Sequence, residues 1–79
     1  MNEFVRLKKA YISAINYGLS TGVDYDFAKH GNDILHKFCE NYIDSSNCDS
    51  KSKNQMKHEL ELTKEILAKE IDSHYSQNR

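Results

Sequence analysis

The 79-residue chain has no proline, no tryptophan, three glycines, two cysteines and almost no net charge. Each shortage excludes something. Without proline, nothing forces a break inside a periodic segment. Cys39 and Cys48 are too few for a disulfide framework, and a reducing compartment would keep them as thiols. Eleven basic against twelve acidic side chains give a formal charge of −1, which removes the plainest electrostatic case for a nucleic-acid or membrane-surface protein. No apolar run approaches the roughly 18 residues a bilayer span requires, and the first residues lack the apolar core of a secretory signal. A cytoplasmic protein with no membrane contact is the expectation. A chain this short also buries little core, so it is either marginally stable or supported by a partner.

What is present is periodicity. Phe4, Leu7, Tyr11, Ala14 and Ile15 make one apolar stripe; Phe27, Gly31, Ile34, Leu35, Phe38 and Tyr42 a second; Met56, Leu60, Thr63, Leu67 and Ile71 a third. Recurrence every three to four residues is the signature of helices with one buried face. The spacing predicts an all-α, compact three-helix bundle in a single domain over 1–79, with helices at about 2–20, 24–44 and 52–75. Gly22 is placed to end the first helix in the left-handed conformation, and Thr21 or Asp24 to cap the second. The polar run 45–51 is the linker, Ser52 and Gln55 have the form of a capping box for the third helix, and residues 76–79 should fray.

Helical-wheel positions separate the three faces. On the second helix, Phe27, Ala28, Gly31, Ile34, Leu35, Phe38, Cys39 and Tyr42 share one side, opposite a charged one, which predicts an ordinary surface helix that buries its apolar half. On the third, Leu62 and Ile66 widen the apolar arc beyond what one neighbour covers. In a three-helix bundle a second neighbour covers part of that width, and a dimer seam through this long C-terminal helix or a foreign surface is the candidate cover for the rest. On the first, Lys8 falls within the apolar arc, where it must snorkel outward, pair with an acid or wait for a partner.

Chemistry has little to stand on. His58-Glu59-Leu60-Glu61-Leu62 begins like a zinc-protease motif but has Leu62 where the second histidine belongs. His36 and Cys39 lie three apart, with Cys48 or Asp33 as further donors, yet no paired ligand motif supports them, and the expectation is no metal and no cofactor. In that view His36 stands at the solvent edge. No glycine-rich phosphate loop is present, Cys39 near His36 is the only local nucleophile–base pair, and a three-helix chain of this length has little room for a substrate pocket, so no enzyme is expected.

Protein binding remains. Tyr17 lies on the polar side of helix one near Arg6, and Tyr25 on the polar side of helix two near Lys29 and His36. Aromatic and arginine side chains outside a core are enriched in interface hot spots. The expected partner surface is therefore Arg6, Lys8, Tyr17, Tyr25, Lys29, His36, Leu62 and Ile66, covering part of a larger protein. An excess of AT-rich-codon residues over Gly, Ala, Arg and Pro fits a low-GC organism or mobile DNA such as a phage, and in the latter case an inhibitor of a host system such as defence. The alternative is a small transcriptional or nucleoid-associated modulator that binds DNA weakly, through Arg6, Lys8, Lys9, Lys51, Lys53 and Lys57, or through a DNA-binding protein. Carboxylates on helix two would repel phosphate in that role.

Overall fold

The computed structural model describes residues 3–77 and contains three helices, α1 (Glu3–Thr21), α2 (Tyr25–Asp44) and α3 (Ser50–Gln77). The expected start of the first helix at Asn2 and the tail residues 78–79 lie outside the described residues; Ser76 and Gln77 continue α3 instead of fraying. A helix of 28 residues is about 42 Å long, and α3 accordingly accounts for most of the 46 Å long axis of a body 19 × 17 Å across. The chain runs up, down and up.

Each helix end has a local cause. Gly22 has φ +84°, and the amides of Gly22 and Val23 return to the carbonyls of Leu19 and Gly18, satisfying two groups that the end of α1 leaves open. Asp24 caps α2, its Oδ1 accepting from the Phe27 amide at 2.7 Å. At α3 the cap is Asp49, not the expected Ser52: Oδ1 of Asp49 accepts from the Ser52 amide at 2.7 Å, and the helix starts two residues earlier. A carboxylate offers a charge-assisted bond and meets the positive end of the helix dipole, so it wins over a hydroxyl three residues on. The bond holds the Asp49 carboxyl below its ordinary range.

Tyr11, Ile15, Ala28, Cys39, Ile43, Leu60, Leu67 and Ile71 form the core, with Phe4, Leu7, Leu35 and Met56 partly buried around it. The third stripe and, apart from the exposed Ala14, the first thus point inward as expected. At the centre is a polar node: the Tyr11 hydroxyl donates to Asn32 Oδ1, and Asn32 Nδ2 donates to the Lys64 carbonyl at 3.1 Å, so one asparagine ties all three helices. Burial pushes the Tyr11 phenol far above its usual range, with Cys39 adding to the effect. The hydroxyl therefore stays a donor.

Candidate functional site: the outward face of α2

The second stripe does not close. The buried residues of α2 are Ala28, Asn32, His36, Cys39 and Ile43, an arc centred about 90° round the helix from the centre of its apolar side. Phe27, Ile34, Phe38 and Tyr42 are left 67, 61, 59 and 43 % exposed. The expectation of an ordinary surface helix is corrected here, and so is the placement of His36, which is buried and not at the solvent edge.

Polar pairing accounts for the rotation. Along the side where α2 meets α3, Tyr25 and Lys29 contact Asp72, Asn32 meets the Lys64 carbonyl, Asp33 meets Lys64 at 3.3 Å, His36 meets Glu61 at 3.2 Å, and Asp44 meets Lys57 at 2.9 Å. The pairs step down both helices turn by turn in opposite directions. Turning Phe27, Ile34 and Phe38 inward would gain burial of about 1.5–3 kcal/mol for each, but it would carry Asn32 out of the core and strand the Tyr11 hydroxyl without a partner, while dismantling the seam. The seam is therefore kept and the apolar side stays open.

The open side borders a groove. Ala14, Ile15 and Gly18 of α1, Val23 of the turn, and Phe27, Ala28, Gly31 and Leu35 of α2 enclose about 90 Å³ between the two helices. Its walls are small where they meet: nothing lies within 4 Å of where a Cβ at Gly31 would stand. Tyr17 belongs to the helical row beside Ala14 and Gly18 and is mostly exposed, so it edges the α1 side, with Arg6 on the same row. Lys37 stands on the far edge of α2, and neither Arg6 nor Lys37 forms an ion pair with another described residue. Asp26 is the acidic exception near the start of that edge. At the far end, the Tyr42 hydroxyl donates to Glu3, which holds the phenol above its usual range.

The expected partner residues do not form one surface. Tyr17 and Arg6 edge the groove. Tyr25 and Lys29 are engaged inside the molecule: the Tyr25 hydroxyl donates to Asp72 at 2.6 Å, its ring meets Tyr75 edge to face at 5.6 Å, and Lys29 reaches both Asp72 and the Tyr25 ring. The Tyr25 bond holds the Asp72 carboxyl below its usual range. Lys8 lies over the Phe4 ring, with its Nζ 3.9 Å from Glu59, the neighbouring-acid pairing among the options for it. Leu62 and Ile66 are exposed on the side of α3 turned away from its pairs with α2. They face a different direction from the groove.

Phe27, Ile34, Phe38 and Tyr42 were missed because their stripe is the cleanest in the sequence and therefore looks like core. One signal was available: Asn32 and His36 lie beside that stripe, and both are types that need partners when buried. Of the basic groups, Lys53 donates to the Asp44 carbonyl and Lys57 pairs with Asp44, so both are spent on closing the α2–α3 turn. No family model matches the chain, and no curated protein or solved structure is significantly similar to it. No helix among the described residues is long and apolar enough to cross a membrane.

Proposed function

We propose that the protein is a non-enzymatic binding module that seats an amphipathic helix of a larger protein on the outward face of α2. The observation that carries this is the set of four large apolar side chains, Phe27, Ile34, Phe38 and Tyr42, exposed in one row on a helix whose opposite flank is pinned by polar pairs. The row is about 22 Å long, the length of four turns of helix. Small residues in the groove allow close approach, and the pattern is that of a helix laid into an apolar groove. Arg6 and Lys37, the unpaired cations at its two edges, favour acidic side chains flanking the partner's apolar stripe.

Binding there would act by covering the partner's surface, and a steric inhibitor of a host system, carried by a phage or mobile element, is the form we favour. The codon-type bias of the sequence supports that extension. Leu62 and Ile66, pointing elsewhere, are a second and smaller apolar surface that suits self-association through α3.

Affinity capture from the native host with wild type, Phe38→Asp and Leu62→Asp, followed by reconstitution with the purified partner, tests the proposal. The expected result is a complex lost in Phe38→Asp and retained in Leu62→Asp. Loss in Leu62→Asp alone would move the site to α3. Duplex DNA binding that falls steeply with salt and survives Phe38→Asp would favour the transcriptional modulator instead.

A further inference from the structure

His36 has a side chain only 7 % exposed, and its buried Nε2 has no hydrogen-bond partner. Glu61 Oε2 approaches that nitrogen to 3.2 Å from α3, and Glu40 Oε1, one turn further along α2, lies 3.8 Å from Nδ1. One donor atom from each of the three side chains falls within 4.8 Å of the others. We propose that His36, Glu40 and Glu61 form a site for a divalent first-row transition-metal cation of the Zn²⁺ type, bridging α2 and α3.

The donor set selects the ion. A neutral imidazole with two carboxylates carries a charge of −2, matched by a dication. The nitrogen donor suits zinc and its neighbours better than calcium or magnesium, which favour oxygen alone. Tetrahedral coordination at 2.0–2.2 Å puts donors about 3.4 Å apart. His36 offers one nitrogen to an ion, and with the three donor atoms within 4.8 Å of one another the glutamates need close by at most about 1.4 Å on that geometry; both are long, partly exposed side chains free to do so. His36 is already fixed by burial. With three protein donors, water completes the shell. No other ion pair is formed by either glutamate among the described residues, so no cation has to be displaced.

The site is independent of the groove, since His36 and Glu40 lie on the opposite flank of α2 and Glu61 lies on α3, and its test needs no partner. Metal-free protein carrying Cys48→Ser, which removes the exposed thiol as a competing ligand, is titrated with ZnCl₂ by calorimetry in a non-chelating buffer. Thermal unfolding is followed in parallel. One equivalent should bind and the midpoint should rise, because an ion that binds only the folded chain stabilises it by mass action. Glu61→Gln at an exposed position and Glu40→Gln at a half-buried one, both outside the core, should each weaken binding by at least about tenfold. His36→Gln should abolish it. Co²⁺ should give the visible absorption of a low-coordinate nitrogen and oxygen site in wild type and not in Glu61→Gln. No saturable binding at millimolar Zn²⁺, or affinity unchanged by both glutamate variants, overturns the proposal.

Discussion

The two flanks of α2 are built on opposite rules. The flank against α3 is laced with polar pairs, from Tyr25 and Lys29 on Asp72 to Asp44 on Lys57, whereas the flank turned to solvent carries Phe27, Ile34, Phe38 and Tyr42. In most surface helices the apolar arc decides which way the helix faces. Here buried polar groups that must be satisfied decide it, and the apolar arc is what remains. Desolvating Asn32 and Tyr11 is tolerable only because each is the other's partner, and that requirement has one solution while apolar contact has many.

The largest effect that sharpens this contrast comes from truncation on either flank. Ile43→Ala, on the buried side, should cost about 2–5 kcal/mol of stability in urea unfolding, while Phe38→Ala, although it removes a larger side chain, should stay within about 0.5 kcal/mol. Equal losses would mean that Phe38 is buried. Next is Asn32→Ala, which leaves the Tyr11 hydroxyl without its side-chain acceptor and should cost about 1–3 kcal/mol. A neutral result would show that the node does not hold α2 in place.

A smaller effect separates stability from binding at one position. Gly31 lies inside α2 with open space beyond it, so Gly31→Ala should raise stability by about 0.5–1 kcal/mol. The added methyl should at the same time weaken a partner helix seated against the groove, read as a higher unfolding midpoint with a lower affinity. The smallest effect is at the ends of α3. Asp49 and Asp72 have carboxyls held low by the Ser52 amide and the Tyr25 hydroxyl. Their contribution is complete above the ordinary carboxylate pKa and is lost as pH falls through the lowered folded value, hence below about pH 4. Asp49→Ala should therefore lose less stability than wild type between pH 6 and pH 3, and labelling of the outward flank of α2 should not change between them.

The bundle, its helix count and its turns were legible because each rests on local chemistry. The period of the stripes, Gly22 and Asp24 act within a few residues of themselves. Asp49 was overlooked because Ser52 and Gln55 form a recognisable box three residues later, and the stronger cap lies just outside it. The open face was not legible, because the rotation of α2 is set by residues far away in sequence. Lys64, Glu61 and Asp72 of α3, together with Tyr11 of α1, choose which side of α2 turns in. Periodicity reports how apolar a face is; it carries no information on whether that face finds a neighbour. The expected partner residues divide for the same reason: Tyr25 and Lys29 look like free surface until Asp72 is brought to them, and Leu62 and Ile66 do lie outward but on another side of the bundle.

The rotation of α2 in the free protein is tested most directly by thiol accessibility in a Cys48→Ser background. A cysteine introduced by Ile34→Cys should react with a thiol reagent at close to the rate of the unfolded chain, independently of protein concentration, while the buried Cys39, with its thiol pushed up by desolvation, stays protected until unfolding. If position 34 is protected as strongly as Cys39 at every dilution, α2 turns its apolar side into the core and the open face does not exist.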